Sequence, residues 1–572
     1  MGKSGYNGVR YKETYEYDGF KEYLDTLTAY SGATQKAQNY MSYREGELSE
    51  VTDGKVRYGF DVDRDAFYDT TVMQVYDGSW KTLEETETDH VENRLTHKYY
   101  REDGTVTDTF VYTMNDYGKP VSIQYDNVEK VTYNYTEGTE SQAVWLLGSV
   151  EDDFCGRTYV YTYNADGSQK SASFAGFKVT KVNESETEYE IGTSNPTKLK
   201  QTITKGARSC EIANSVNGAP APFLDRSYEY DGFGRTKKKR IKDPTNVQED
   251  TDTAISKTEL GYSDDHMLPT SETYSRNNTT VYTATYAYDG RGNIRSITDS
   301  HGTRTYTYDT LNRLTKETTT GSTILTNGNK SYAYDSNGRM TNFNGQAMTY
   351  DNRGRLTKIG DTNLTYDNYG NRLTKGDFVY TWTRGRLLAS VNGTTYTYDK
   401  DGVRTKKIVN GVTHEYFYDG DKLIAEKVGD KYFYFFYDES GVCGFRYENI
   451  NYEYVKNIFG DVIGIYNEYG THVATYAYDA WGNMTYCNAG TDVAYINPFL
   501  YRGYYYDSES GLYYLMTRYY DTQIGRFISP DTPDYLAPDI VGGVDLYAYC
   551  NNNPVKMSQG PLNSTNGVKQ TF

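Results

Sequence analysis

Tyrosine and polar residues alternate along the middle of the chain, in a unit that can be written Tyr-x-Tyr-Asp-x-x-Gly-Arg. A period of two places both tyrosine rings on one face of a β-strand. The aspartate then opens a turn, and the glycine three residues later supplies the positive φ angle that closes it. Each unit therefore predicts a β-hairpin. The clearest copies begin at Tyr228, Tyr286, Tyr306, Tyr332 and Tyr396.

The units recur at a constant spacing. From Tyr334 the second aromatic residue steps to Tyr350, Tyr366, Trp382 and Tyr398, each 16 residues after the last. Such a step accommodates two strands of about five or six residues with their turns. A fixed period predicts an array in which each unit packs on its neighbours. The Asp and Arg of one unit flank the same turn, and we expect an exposed ion pair worth about 0–1 kcal/mol.

The chain divides into four parts by how closely it follows this pattern. Residues 1–225 carry a degenerate version, and residues 226–490 form the regular array. Residues 495–560 are dense in aromatic residues, which is typical of a compact cap that closes a repeat array. Residues 561–572 form a short polar tail.

The amino-acid composition constrains how this array packs. The chain has 572 residues, and 64 of them are tyrosine. Valine, isoleucine, leucine and phenylalanine are too few for a conventional double-sheet core, so tyrosine rings must supply the packing. We predict an all-β protein: a long curved ribbon of hairpins wound into a hollow shell, since closure removes exposed strand edges.

Three stretches depart from the strand pattern. Residues 241–256 are polar and charged and predict a loop, and Ala29 to Asn39 predicts a short helix or a loop. The basic run Lys237–Arg240 follows a turn and is interpreted as a solvated loop or a binding patch. The net charge is −18, which argues against nucleic acid or an anionic membrane as partner.

Neither a metal site nor a cofactor is predicted. The five cysteines are far apart and are expected to be lone core residues, although one long-range disulfide is an alternative. The six histidines show no ligand spacing. Asp61-Val62-Asp63 imitates the start of an EF-hand loop, but Ala66 and Val72 stand where that loop needs Gly and Glu.

The sequence contains no membrane-spanning stretch of about 18 apolar residues. Residues 1–6 also lack the apolar run of a signal peptide, and strand-like sequence follows soon after. We therefore expect a piece of a longer exported protein, secreted or at the cell surface, whose signal lies upstream.

The cap resembles the Rhs-repeat-associated core of the Rhs and YD-repeat proteins. The resemblance is carried by Tyr501-Arg502-Gly503-Tyr504-Tyr505-Tyr506-Asp507 with Gly511-Leu512-Tyr513-Tyr514-Leu515, by Arg518-Tyr519-Tyr520-Asp521 with Gly525-Arg526-Phe527-Ile528-Ser529, and by Leu546-Tyr547-Ala548-Tyr549-Cys550-Asn551-Asn552-Asn553-Pro554-Val555. It implies a hollow β-shell wound from hairpins and closed by this core. In bacterial members the shell encloses a variable C-terminal toxin, and the core cuts the chain after itself.

The resemblance also implies candidate catalytic residues. An aspartyl-protease-like step needs two carboxylates close enough to share a proton. Asp531 matches the family's first catalytic Asp, and Asp545 is the candidate for the second, where the family more often has Asn. Arg526 would stabilise developing negative charge. The alternative is that all three are turn and pairing residues of the cap.

The end of the chain departs from the family pattern. Gln559 and Gly560 stand where the cleavage motif has Asp-Pro, so we expect impaired self-cleavage. Only Asn563–Phe572 follow, too few residues for a toxin.

Three functions follow. The chain is foremost a structural shell of a polymorphic toxin system, here without its toxin cargo. The alternatives are an adhesin whose tyrosines bind carbohydrate or a neighbouring cell, and a protease that cuts only itself.

Overall fold

The chain folds as one long antiparallel meander. A computed structural model describes residues 3–4, 10–17, 24–31, 34–44, 47–53, 56–64, 67–136, 146–242, 254–263, 267–532 and 544–556. Within these ranges a sheet of 46 strands extends to residue 489. The strands pair antiparallel with their neighbours in the sequence, as in the successive pairs at Gly302–Tyr308, Leu314–Thr320 and Gly328–Tyr334. The predicted all-β class is therefore confirmed.

The strands begin in the degenerate region and continue through the regular array. In residues 1–225 they are Lys3–Ser4, Arg10–Tyr17, Leu24–Ser31, Thr34–Arg44, Glu47–Thr52, Arg57–Arg64, Tyr68–Tyr76, Trp80–Asp89, Arg94–Tyr100, Val106–Met114, Pro120–Tyr125, Val128–Thr136, Leu146–Asp152, Arg157–Tyr163, Gln169–Phe174, Phe177–Asn183, Glu186–Ile191, Thr197–Lys205, Ser209–Val216 and Ala219–Pro220. In residues 226–490 they are Arg226–Tyr230, Thr236–Lys242, Ala254–Tyr262, Pro269–Arg276, Thr279–Tyr288, Ile294–Asp299, Gly302–Tyr308, Leu314–Thr320, Gly328–Tyr334, Met340–Phe343, Gln346–Tyr350, Leu356–Ile359, Thr362–Tyr366, Arg372–Lys375, Phe378–Thr383, Leu387–Val391, Thr394–Tyr398, Arg404–Val409, Val412–Asp419, Lys422–Val428, Lys431–Asp438, Gly441–Tyr447, Ile450–Lys456, Val462–Asn467, His472–Tyr478 and Met484–Ala489.

The cap has a smaller sheet and short helical turns. Its four strands are Tyr505–Asp507, Leu512–Tyr514, Tyr519–Asp521 and Arg526–Phe527. The described helices are Pro222–Leu224, Val493–Ile496, Tyr501–Gly503 and Cys550–Asn552. None of these described helices has the length and apolarity of a membrane span.

Two sequence predictions were wrong. The described residues of Ala29 to Asn39 lie in the strands Leu24–Ser31 and Thr34–Arg44, not in a helix, and residues 32–33 lie outside the described residues. Lys237–Arg240 lies in a strand too, because glutamates on both neighbouring strands compensate its charge: Arg240 is 2.7 Å from Glu229, and Lys238 is 3.6 Å from Glu259. The loop predicted over residues 241–256 has strand at both ends, and residues 243–253 lie outside the described residues.

The aspartate of each unit organises its turn. In the turn 309–313, Asp309 Oδ1 accepts the backbone N–H groups of Leu311 and Arg313, both at 2.9 Å. Its Oδ2 accepts from Arg313 Nε at 2.7 Å, so the expected ion pair is present. The same guanidinium also donates to the carbonyl of Asp335, which opens the next turn, at 3.1 Å. Arg313 is therefore mostly buried, and the pair is not the exposed one that the sequence predicted.

The second aromatic residue joins each hairpin to the one before it. The Tyr334 hydroxyl donates to the backbone carbonyl of Leu314, in the preceding hairpin, at 2.6 Å. The indole N–H of Trp382 makes the equivalent bond to the Arg372 carbonyl at 2.8 Å, which explains why tryptophan is accepted at a tyrosine position. The same link is made by Tyr288, Tyr308, Tyr350, Tyr398 and Tyr478.

The ribbon coils so that later strands lie beside earlier ones. Asn337 donates to the carbonyl of Asp53 across a sequence separation of 284 residues. The Arg226 guanidinium donates to the Cys443 carbonyl across 217 residues, and Lys330 pairs with Asp479 across 149. Each revolution therefore contains fewer residues than the one before it.

Buried carboxylates help to hold adjacent revolutions together. Asp152, Glu272 and Glu317 each accept the backbone N–H of the second residue of a turn in the following revolution. These bonds go to Lys400 at 2.6 Å, Ile458 at 3.2 Å and Ala480 at 3.2 Å. The turns that close the hairpins are thus also the contact points between revolutions.

We expect Tyr334→Phe to lower the free energy of unfolding by about 0.5–1.5 kcal/mol, because the Leu314 carbonyl loses its partner while the ring stays. Urea unfolding measures this change. Tyr469→Phe is the matched control, since the Tyr469 side chain is 74% exposed. An equal effect of the two substitutions would contradict the proposed link.

Candidate functional site

The cap docks on the aromatic face of the ribbon. Tyr396 and Tyr416, first tyrosines of their units, lie 5.7 Å and 5.6 Å from the rings of Tyr519 and Tyr505 of the cap. The hydroxyls of Tyr398 and Tyr519 are 2.8 Å apart. All five side chains are buried. Tyrosines of the repeated units therefore form the surface on which the cap packs.

Two buried charge clusters fix the cap to this surface. Asp507 is 2.5 Å from Arg404 Nη1 and 2.8 Å from Lys407 Nζ. Asp521 is 2.8 Å from both Arg372 Nη1 and Lys375 Nζ. In each cluster an Arg-x-x-Lys segment of the ribbon holds the aspartate that ends a Tyr-Tyr-Asp segment of the cap.

Sequence reasoning missed these clusters, although a signal exists. In ordinary units the arginine is four residues after the turn aspartate, as Arg313 is after Asp309. Arg372 and Arg404 come five residues after their turn aspartates, Asp367 and Asp399. A shift of one residue moves a side chain to the other face of a strand. These two arginines therefore turn away from their own turns and towards the cap.

The clusters depend on ionised carboxylates. Burial by itself would raise the pKa of Asp507 and Asp521, but the adjacent cations outweigh burial and hold both pKa values below the ordinary one. A carboxyl group with a lowered pKa contributes stability above its unfolded value of about 3.9, and that stability is lost as the pH falls through the folded value.

The structure places the three predicted catalytic residues in one region. Arg526 is 2% exposed, and its Nη2 is 2.5 Å from Asp545 Oδ1. The N–H of Asp531 donates at 2.9 Å to the carbonyl of Leu546, the residue after Asp545. The Asp531 carboxylate is 2.7 Å from Arg518 Nη2. Sequence reasoning did not single out Arg518.

Each candidate carboxylate therefore has its own arginine. Burial acts against the charge on Arg526, but Asp545 outweighs burial and the pKa of Arg526 is raised. The second oxygen of Asp545, Oδ2, is buried and makes no hydrogen bond to the described residues. Arg386 donates to the backbone carbonyl of Asp531 at 2.8 Å, so a turn of the ribbon also positions this segment. This arrangement suits pairing and positioning, and the catalytic role stays a prediction.

Other predicted features fall outside the site. Gln559 and Gly560, with the tail that follows, lie outside the described residues. Among the described residues the five cysteines form no disulfide, and three of them are buried. Asp61 and Asp63 lie in the strand Arg57–Arg64. In the described ranges no group of three or more potential ligands could hold a metal ion.

These features define a class of protein: tyrosine-rich β-hairpins wound as a ribbon, with a cap clamped on their aromatic face. The sequence matches the Teneurin YD-shell family over residues 205–555. The chain belongs to that family, and its expected place among the Rhs and YD-repeat proteins is confirmed.

The chain is also similar to named proteins. It is 34% identical over 288 residues to the tRNA3(Ser)-specific nuclease WapA of Bacillus spizizenii, covering 47% of this chain and 10% of that protein. It is 32% identical over 102 residues to the double-stranded DNA deaminase toxin A of Burkholderia cenocepacia, covering 16% and 7%. The chain therefore spans a tenth or less of the length of these relatives. The solved structure TcdB2-TccC3-TEV is similar over 97% of this chain and 36% of that chain, at 14% identity and a TM-score of 0.48.

We expect Asp521→Asn to destabilise the cap by about 3–5 kcal/mol, because two buried cations lose their carboxylate. Chemical unfolding followed by tryptophan fluorescence reports this change, and the fully buried Trp481 contributes to that signal. The control is Asp401→Asn, because the Asp401 side chain is 63% exposed and its pair with Lys400 is worth about 0–1 kcal/mol. Similar losses from both variants would mean that the cluster does not fix the cap.

Restoring the cleavage motif tests the candidate catalytic residues. We expect Gln559→Asp with Gly560→Pro to release the tail, and Asp531→Asn in that background to abolish release. Mass spectrometry of the purified chain detects the cut. An intact restored chain would contradict catalysis, and circular dichroism controls for folding of each variant.

Proposed function

We propose that this chain forms both the wall and the closing cap of a container that encloses the toxic part of a bacterial polymorphic toxin. The observation that carries the proposal is the cap, which two buried clusters hold against the aromatic face of a coiled ribbon. In this proposal the fixed cap covers the inner aromatic face of the array and keeps solvent away from it. The protein is secreted or displayed at the cell surface in this proposal.

The relatives support a housing role for the shared segment. One is named as a tRNA nuclease and another as a DNA deaminase toxin, yet both match this chain over a tenth or less of their length. Because the two named activities differ, the segment that these proteins share with this chain is better explained as the part that contains a toxin than as the part that acts.

The packing of the tyrosines disfavours the adhesin hypothesis. Sugar binding by ring stacking needs exposed aromatic faces. The first tyrosines of the regular units are instead buried, including Tyr306 and Tyr332, each 4% exposed. The second tyrosines donate their hydroxyls to backbone carbonyls. The aromatic residues of the array therefore serve the wall itself.

We further propose that self-cleavage is impaired in this chain. The support is the replacement of the expected Asp-Pro by Gln559-Gly560. The division of the chain into residues 1–225, 226–490, 495–560 and 561–572 is part of the same proposal.

We expect single-particle imaging of the full chain to show a hollow body with an enclosed void beneath the cap. The double variant Asp507→Asn with Asp521→Asn is expected to keep the wall and lose the density of the cap. A solid particle or an extended ribbon in the unaltered chain would rule out the container.

A further inference from the structure

A large cavity lies between the ribbon and the cap. Its volume is about 980 Å³, within the usual range for ligand sites. Its walls come from strands of two adjacent revolutions and from residues 502–505 and 514–516 of the cap. Tyrosine is the commonest lining residue, and the lysines Lys239 and Lys456 lie on the wall with Asp438.

One turn holds both lysines. Lys239 Nζ is 2.6 Å from Asp438 Oδ2 and donates to the Ser440 hydroxyl at 3.3 Å. Lys456 Nζ donates to the backbone carbonyl of Ser440 at 2.7 Å. Both ammonium groups therefore contact Ser440. Lys239 belongs to the basic run for which the sequence left a binding patch open.

Positive charge exceeds negative charge around this turn. Arg226 is a third cation, 3.8 Å from Asp438, and its side chain is 1% exposed. Of the other carboxylates on the cavity wall, Glu439 accepts from the Tyr230 hydroxyl, Glu453 pairs with Arg276 at 2.9 Å, and Asp421 precedes the lysine Lys422 on the same wall. Three cations thus face Asp438.

The protonation of neighbouring groups reflects this excess. Burial lowers the pKa of Lys456 to about 8; Asp438 opposes this effect, and the charge of Lys239 adds to it. Glu272 on the same wall compensates little, because burial raises its pKa to about 7 and it already bonds to Tyr286 and Ile458.

We propose that this end of the cavity is a binding site for an anionic group, a carboxylate or a phosphate, held between Lys239 and Lys456. Asp438 is a single carboxylate shared by three cations, and an entering anion would accept charge-assisted hydrogen bonds from both lysines. The Tyr228 hydroxyl lines the same cavity and interacts with Asp438 and Ser440, so it belongs to the same polar cluster. The tyrosine walls would pack against the body of the ligand.

The same chemistry could come from a free small anion or from acidic side chains of an enclosed polypeptide. Inorganic phosphate and poly-L-glutamate are the probes that distinguish the two sources. This site does not depend on the container function, because a free anion would occupy it in an open ribbon as well.

Isothermal titration of the full chain with each probe tests the proposal. We expect one saturable site, and binding weakened about tenfold or more by Lys456→Gln or Lys239→Gln, since each removes a charged hydrogen bond. The matched control is Lys422→Gln, which changes a lysine on the same cavity wall and should leave affinity unchanged. Binding of phosphate alone identifies a small anion, whereas displacement of phosphate by poly-L-glutamate identifies an acidic segment.

A second measurement covers variants that fail to fold. In the unaltered chain with ¹³C-methylated lysines, NMR is expected to show Lys456 titrating near the value above without phosphate. With phosphate its pKa should rise towards the ordinary lysine value of about 10.4. No saturable binding of either probe, or a Lys456 titration that phosphate leaves unchanged, would overturn the proposal.

Discussion

The link between an aromatic side chain and the backbone of the preceding hairpin is the interaction on which this fold depends. A ribbon one sheet thick has no second sheet to pack against, so it needs another source of cohesion. The tyrosine ring covers the sheet, and its hydroxyl bonds to a carbonyl one hairpin away. The arginine of the turn reaches the opening residue of the next turn in the same way. Each unit is thus fastened to its neighbour at two points besides the strand ladder.

Much of this architecture is readable from the sequence. The spacing of Tyr, Asp and Gly specifies the strand face, the turn and the period, since all three act within one hairpin. The burial of Arg313 is not readable in that way, because it depends on the carbonyl of Asp335 in the next unit. The strand conformation of the described residues between Ala29 and Asn39 was missed because hydrogen-bonding partners, and not the residues themselves, decide it.

The candidate site shows the same division between local and distant information. Arg526, Asp531 and Asp545 were singled out by resemblance, and the structure does bring them into one region. The clusters at Asp507 and Asp521 were not foreseen, because their partners lie 103 and 149 residues away in the sequence. The sequence does contain the displacement of Arg372 and Arg404 by one position. This displacement can be interpreted only when the cap is known to lie on the opposite face of the strand.

The number of residues between contacting positions on adjacent revolutions decreases along the chain, and this decrease limits how such a protein can evolve. In a straight solenoid one repeat can be gained or lost with effects confined to its neighbours. Here the turns also touch parts of the ribbon that are between 284 and 149 residues away. Inserting a single hairpin would shift every later turn by one position relative to the adjacent revolution. The contacts between the two revolutions would then no longer match. Repeat number is therefore constrained across the whole winding, and viable changes in length should occur where the coil has no neighbour to match.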